Sequence, residues 1–304
     1  MLVTLWLTVT VTFLLIKVIP GNPFENEYHE ISEEAIAALN KHYGLDLPIY
    51  EQYYKYITSL LHGDMGYSYI YRDRSVVSIL MDGFPISFIL GCEALLFSVS
   101  VGIILGSFAA LMKNRWQDHM VILLTVLGIS IPSFILATLL QYFLGFKLGL
   151  LPVARWGTFQ HTILPVLSLS AMPIAFISRL TRTNMIEVLS RKYITAAKAR
   201  GISPLIITYK HALRNALLPV IAYISQMSTK VFIGSFVVEK IFGIPGLGVW
   251  LVNAISNRDY PVIMGIAIFY GALLLIVNCL IDISFGILDP RVRIKKEVAC
   301  ASLS

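Results

Sequence analysis

Some polar side chains fall inside long apolar stretches of the sequence, where a charged or hydrogen-bonding group needs a partner. Glu93 lies in one such stretch, and Gln226 and Lys230 lie in another, four residues apart, so that they share a face of a helix. A charge at the centre of a membrane costs roughly 2.5–3.5 kcal/mol on the insertion scale, which makes these residues candidates for a polar translocation path. Interhelical hydrogen bonding explains Glu93 and Lys230 equally well, and the sequence leaves both interpretations open.

A basic stretch, residues 179–217, separates two of the apolar stretches and carries ordered helix signals. Residues 187–200 contain neither Gly nor Pro, which predicts a helix that ends where Gly201 supplies a left-handed residue. Ser203 and Pro204 are the residue types that begin the next helix. We therefore predict two helices with a tight break between them.

Small and basic residues surround this break: Ala196, Ala197 and Ala199, with Lys192, Lys198 and Arg200. A compact surface of this kind suits insertion into a groove of a partner protein. Membrane topology alone explains the positive charge, because cytoplasmic loops are rich in Lys and Arg. It does not explain the ordered break, so we favour docking.

Residues that would support catalysis or nucleotide binding are scattered. The sequence has no G-x-x-x-x-G-K-[ST] motif to hold phosphates, so any ATP must be hydrolysed on another chain. The Cys and His residues show no disulfide or metal spacing, and the acids do not cluster as a membrane enzyme such as a lipid-modifying transferase requires. We predict no catalytic residue, no metal site and no cofactor in this chain.

The composition is that of a membrane protein, with 57% hydrophobic and 14% charged residues among 304, whereas soluble domains have about 25% charged residues. The net charge of +6 need not indicate nucleic acid, since unequal loops on two sides of a bilayer also produce it. We expect membrane lipid around the chain and no nucleic acid.

A helix needs roughly 20 apolar residues to cross the hydrocarbon core. Six stretches reach or nearly reach that length: residues 2–19, 86–112, 120–146, 162–177, 218–238 and 262–285. The first lacks the basic start and the cleavage site of a signal peptide, so we interpret it as a retained span. The fourth is short, and Pro165 and Pro173 predict that it is kinked or buried among neighbours.

The Lys and Arg content of the loops predicts how the chain is oriented in the membrane. If the amino terminus is cytoplasmic, the inner loops carry fourteen Lys and Arg residues and the outer loops carry eight, so both termini are predicted inside.

The outer segment after the first span is predicted to form a small helical lobe. One helix begins at Ser32 with acids in its first turn, and a second begins at Pro48 and ends near Gly63.

The basic stretch, residues 179–217, contains a segment that resembles a known family signature. Residues 195–201 resemble the EAA motif of permease subunits in ABC importers, with the general form EAA-xxx-G followed by Leu-Pro. Thr195 replaces the acid, and Leu218-Pro219 lies five residues further from the glycine, a spacing shared by dipeptide and oligopeptide permeases. The resemblance implies that coupling to an ATPase rests on Thr195, Ala196, Ala197, Lys198, Arg200 and Gly201.

Further segments resemble motifs of the same permeases, in the same order along nearly the whole chain. They lie at residues 19–23, 43–48, 63–66, 242–248, 258–261 and 288–291. Together they identify the chain as a member of the dipeptide, oligopeptide and nickel family of ABC importer permeases. The resemblance implies an all-α membrane protein with six transmembrane helices of the type I importer fold. We expect residues 1–84 to form the first span and lobe, residues 85–286 the core with the coupling loop 179–217, and residues 287–304 a cytoplasmic tail.

The implied function is a non-catalytic permease of an ATP-driven importer in the bacterial inner membrane, with di- or oligopeptides as cargo. Nickel chelates and glutathione remain alternative cargoes, and a secondary transporter or channel is a distant alternative. The implied partners are a second homologous permease, two ABC ATPase subunits that bind ATP and Mg²⁺, and an extracytoplasmic substrate-binding protein.

Overall fold

The computed structural model describes residues 2–18, 23–24, 33–71 and 73–288, and only the backbone at residues 281–288 and at several positions of residues 218–242, including Gln226 and Lys230. The regular elements of these residues are helices, apart from one β-bridge between Tyr67 and Ser75. Ser32, the motif at residues 19–22 and the tail from Asp289 onward lie outside the described residues.

Thirteen α-helices follow in order through the described part of the chain. They are α1 Leu2–Val18, α2 Glu33–Tyr43, α3 Ile49–Leu61, α4 Val76–Leu111, α5 Trp116–Ser130, α6 Ser133–Leu140, α7 Phe159–Leu189, α8 Lys192–Ala199, α9 Pro204–Ile206, α10 Arg214–Ala216, α11 Leu218–Phe242, α12 Leu247–Asn257 and α13 Tyr260–Leu288. Two π-helical turns, Gln141–Lys147 and Ile207–Leu213, continue α6 and α9.

Three helices, α4, α7 and α13, are long and apolar enough to cross a membrane, and two bent helix pairs bring the candidates to five. The apolar helix α1 has 17 residues and is shorter than these. The expectation of an all-helical membrane protein is therefore confirmed, while the number of six spans stays a prediction.

Several predicted spans have different bounds or shapes in the structure. The stretch 120–146 is not one straight helix, because α5 and the segment from Ser133 to Lys147 meet at 103°. Pro132 causes the break, since the residue before a proline avoids the helical region, and Ile131 has an extended backbone with φ −94° and ψ 117°. The fourth span extends beyond Ile177 to Leu189, with Pro165 and Pro173 inside the helix and buried as expected.

The second span also starts earlier than predicted. Ser75 Oγ accepts a hydrogen bond from the Ser78 amide, at 3.1 Å, and so caps α4 ten residues before Pro85. A proline inside an apolar helix is tolerated when neighbouring groups satisfy the freed carbonyl. Pro85 therefore lies within the helix and does not begin it.

The chain forms two compact units, Met1–Ser87 with Ile244–Ile276, and Phe88–Gly243 with Val277–Ser304. The first unit contains the lobe helices α2 and α3, both where the sequence predicts them.

Asp259 joins the lobe to the start of α13 within the first unit. Its buried carboxylate accepts hydrogen bonds from the Ser68 hydroxyl and, at 3.1 Å, from the Tyr69 amide. Burial raises the pKa of Asp259, and these hydrogen bonds partly oppose that rise.

The second unit is organised around α7, which packs against α5, α6 and α11. The helix α4 lies close against α7 at Gly102 and Gly106, four residues apart on one face. A Cβ at Gly102 would lie 2.7 Å from Ile177 Cγ2, and one at Gly106 would lie 2.7 Å from Thr181 Cβ and still closer to the Ser178 carbonyl oxygen. Small residues at this spacing let helix backbones pack tightly where lipid provides no hydrophobic drive.

The substitution Gly106→Ala should destabilise the protein by about 1–3 kcal/mol, because the obstructing atom is a backbone oxygen that cannot rotate away. Gly157→Ala provides the control, since a Cβ there meets nothing within 4 Å. Thermal unfolding of the detergent-solubilised chain measures the difference. Equal melting temperatures for the two variants would contradict the close packing of α4 on α7.

Candidate functional site

The basic loop begins inside α7, since that helix continues to Leu189. The predicted uninterrupted helix over residues 187–200 is wrong, because the chain turns sharply at Ser190 and Arg191. The Ser190 hydroxyl donates to the Glu187 carbonyl at 2.6 Å, and Arg191 is extended with φ −72° and ψ 147°. A serine that bonds its own backbone competes with the helix. The helix α8 then starts in a new direction at Lys192.

The end of α8 at Gly201 has the predicted conformation. Gly201 has φ +71°, and its amide donates to the Lys198 carbonyl at 3.0 Å. The next amide, of Ile202, donates to the Ala197 carbonyl at 3.3 Å. These two bonds form a complete Schellman motif, which requires a residue that tolerates the left-handed region. Ser203 then caps α9 by accepting from the Ile206 amide, and Pro204 occupies the first position of that helix.

The inner side of α8 is part of a buried apolar cluster. Ile194 is fully buried and Ala197 is 9% exposed. They pack with Met185 and Val188 at the end of α7, with further members Ala110, Ile207, Ala212 and Ala216. The small size of Ala197 therefore serves packing against the membrane helices, not the outer surface of the loop.

The outer side of the loop is exposed and combines small, basic and large apolar residues. Of the predicted coupling residues, this side carries Thr195, Ala196, Lys198, Arg200 and Gly201. The sequence interpretation missed its large apolar members: Leu205 at 70% exposure, Tyr209 at 66%, Ile206 at 49% and Tyr193 at 41%. Their spacing within the basic loop was the available signal, but apolar residues after a helix start are usually assigned to a core.

Side-chain hydrogen bonds hold the two arms of the loop together. Asn215 Nδ2 donates to the Tyr193 hydroxyl at 3.0 Å and to the His211 carbonyl at 3.1 Å. Asn184 Nδ2, on α7, donates to the Ala216 carbonyl at 3.3 Å. The arms on either side of the break are thus fixed to each other and to α7.

A buried ion pair anchors α7 beside this loop. Arg182 binds Asp118 of α5 with two bonds, Nε to Oδ1 at 2.5 Å and Nη2 to Oδ2 at 2.7 Å. The Asp118 side chain is 1% exposed, and its Oδ2 also accepts from the Asn114 amide at 3.0 Å. One carboxylate therefore holds the turn between α4 and α5 and the end of α7.

Of the three candidate translocation residues, Glu93 has a described side chain. The Oε2 atom of Glu93 is buried, and it has no hydrogen-bond partner among the described residues. Gln226 and Lys230 lie on α11, but their side chains are outside the described part. Within the described ranges, no group of three His, Cys, Asp or Glu side chains is placed to hold a metal ion.

Comparison with known proteins places the chain in a family. Residues 102–294 match the family model described as binding-protein-dependent transport system inner membrane component. Residues 1–91 match the model of the N-terminal part of such membrane components. The chain belongs to this family. It is accordingly a non-catalytic, multi-pass permease component of the inner membrane, and it works with an ATPase and a binding protein.

The similarity to known permeases extends over almost the full length of the chain. The dipeptide transport system permease protein DppB of Bacillus subtilis is 46% identical, over 98% of this chain and 96% of the relative. The oligopeptide transport system permease protein OppB of Haemophilus influenzae is 40% identical, over 95% of each. A chain in a solved structure of inward facing conformations of the MetNI methionine ABC transporter matches with a TM-score of 0.56 at 16% identity, over 69% of this chain and 96% of that one. The last match shows a shared fold.

Ala197→Leu should destabilise the permease by about 1–3 kcal/mol, because the larger side chain must enter the filled cluster beneath α8. Ala196→Leu is the matched control, since it makes the same change one position away on the exposed side of the same helix. Thermal unfolding distinguishes them. A lower melting temperature for the Ala196 variant than for the Ala197 variant would contradict the assignment of faces.

Arg182→Met should cost about 3–5 kcal/mol, since it leaves the Asp118 carboxylate buried without its partner. Arg179→Met removes an exposed arginine from the same helix and should change stability little. The double variant Arg182→Met with Asp118→Leu should recover much of the loss, because no unpaired charge remains. Melting temperatures that rank the double variant below Arg182→Met would argue against the pair.

Proposed function

We propose that this chain is the permease of an ATP-driven importer of di- or oligopeptides, and that it receives the ATPase on the exposed side of the loop around α8 and α9. Full-length similarity to a dipeptide permease carries the cargo assignment. The permease would have six transmembrane helices of the type I importer fold, with both termini cytoplasmic. A second homologous permease would line the other half of the path, and two ATPase subunits would bind ATP and Mg²⁺.

An exposed apolar surface on a cytoplasmic loop supports the docking site. Tyr193, Leu205 and Tyr209 are large and exposed, and such residues dominate the binding energy of protein interfaces when a partner buries them. Lys198 and Arg200 beside them add positive charge, which guides association and orientation. Thr195 and Ala196 keep the surface between these side chains low, so that a partner can approach the helix backbone.

The rigidity of the loop supports its mechanical role. A push on α8 moves other helices only if the loop does not deform. The Schellman motif at Gly201, the Tyr193–Asn215 bond and the buried cluster oppose such deformation. Force applied at α8 would pass to α7 through Met185 and Val188, and α7 is the helix on which its unit packs.

The candidate path residues complete the proposal. Glu93 has an unpartnered buried carboxylate oxygen among the described residues, and a polar group left in this state inside a membrane protein favours a functional role. We assign Glu93, with Gln226 and Lys230 on α11, to the translocation path. The last two rest on sequence alone.

Leu205→Asp should reduce uptake of a radiolabelled dipeptide at least about tenfold, because a charge replaces an apolar group that the ATPase would bury. Leu150→Asp is the control, since Leu150 is 68% exposed but lies outside the loop. Uptake is measured in cells that depend on this permease, with the amount of membrane-inserted protein determined in parallel. Co-purification of the ATPase with each variant separates lost docking from lost transport.

The cargo is tested in the same cells. Unlabelled dipeptides and oligopeptides should compete with the labelled dipeptide, whereas nickel chelates and glutathione should not. Normal uptake and normal ATPase recovery with Leu205→Asp would refute the docking surface. Permease-dependent uptake of a nickel chelate or glutathione, without permease-dependent uptake of the dipeptide, would refute the peptide cargo and leave the docking surface standing.

A further inference from the structure

The first unit contains a cavity of about 320 Å³ between the end of α1, the lobe and the start of α13. This volume is at the lower end of the range of small-molecule sites. Its walls are mostly apolar, with aromatic and aliphatic side chains such as Phe13, Leu45 and Met264. The cavity therefore suits the apolar part of a small ligand.

The ammonium group of Lys17 lies against this cavity, between two aromatic rings. Lys17 Nζ is 5.5 Å from the ring centre of Tyr260 and 5.7 Å from that of Phe13. It donates to Gln52 Oε1 at 2.5 Å, and among the described residues no carboxylate forms an ion pair with it. A half-buried cation in an apolar setting is costly unless it is paired. An ammonium has three donors, so two remain for a ligand.

The lysine is held in place from the protein side. Gln52 Nε2 donates to the backbone carbonyls of Leu45 and Leu47, at 3.1 and 2.7 Å. These bonds fix the amide so that its oxygen faces Lys17. Because the amide is oriented in advance, little conformational entropy is lost when an anion binds beside it.

The remaining charges limit the ligand. The exposed side chains of Lys55 and Asp64 also line the cavity. Asp64 Oδ1 accepts a hydrogen bond from the Gly66 amide at 2.9 Å, so an acidic side chain forms part of the wall. A group with one negative charge is therefore favoured over one with two. Carboxylates and phosphodiesters satisfy this condition.

We propose that this cavity binds a monoanionic oxyanion attached to an apolar body, with Lys17 as the residue that binds the oxyanion. Two sources share this chemistry, the free carboxylate of a small peptide and the phosphodiester of a phospholipid. The site is separate from the loop that carries the docking proposal. Binding to it is measured without the ATPase, so its failure is distinguishable from a failure of the proposed importer function.

The experiment uses the full-length chain in dodecyl maltoside. Equilibrium binding compares radiolabelled alanyl-phenylalanine with its carboxyl-terminal amide, and native mass spectrometry compares retention of phosphatidylglycerol with that of diacylglycerol. We expect one oxyanion ligand to bind at least about tenfold more tightly than its uncharged analogue, because a charge-assisted hydrogen bond is lost in the analogue.

Lys17→Met should abolish this preference, and Lys17→Arg should keep most of it. Lys41→Met is the control, because Lys41 is an exposed lysine of the same lobe that does not line the cavity. If Lys17→Met does not fold, Ser59→Trp tests the proposal instead. Ser59 is an exposed residue of the cavity wall, and the indole ring of the variant should block ligand entry while Lys17 stays intact.

Preference for the peptide acid assigns a peptide site, and preference for phosphatidylglycerol assigns a lipid site. Each of these results supports the proposal when Lys17→Met or Ser59→Trp removes it. Absence of both preferences, or a preference that survives these variants, would overturn the proposal.

Discussion

The close contact between α4 and α7 is the constraint on which the second unit depends. Gly102 and Gly106 bring the α4 backbone against Ile177, Ser178 and Thr181, at distances that no side chain would permit. Lipid solvates apolar side chains as well as a protein core does, so such helices gain stability from tight packing and polar contacts. With α4 fixed on one side, α5, α6 and α11 pack around the remaining surface of α7. This helix then continues past the apolar region to Leu189, so that it carries the first residues of the basic loop.

That continuity links the loop to the membrane helices. Because α7 does not end near Ile177, Arg182 and Met185 are helical residues with fixed directions. Arg182 reaches Asp118 at the start of α5, and Met185 enters the cluster beneath α8. A loop attached by flexible residues could bind a partner but could not transmit its motion. The attachment observed here is an ion pair, a packed cluster and a capped helix end, each stiff on its own.

Sequence reasoning recovered the local features and missed those that depend on neighbours. The break at Gly201, the cap at Ser203 and the two lobe helices rest on backbone preferences of single residues, and these operate in almost any context. The length of α7 was missed because hydropathy falls at Arg179 and Arg182, although both continue the helix. The break at Pro132 and the helical position of Pro85 show that one residue type can end a helix or lie within it. Neighbouring contacts decide between these outcomes.

Neighbouring contacts also distinguish the roles of the charged residues in this chain. Membrane topology alone is enough to explain positive charge in a loop, so the amount of charge reveals little about function. The informative quantity is how each buried charge is compensated. Asp118 has a bidentate arginine and a backbone amide, which is the signature of a structural group. Lys17 has one neutral amide oxygen and two aromatic faces beside an open volume. Desolvation must be offset in both cases, and among the described residues the compensation of Lys17 is the less complete, which is why we propose that a ligand binds there.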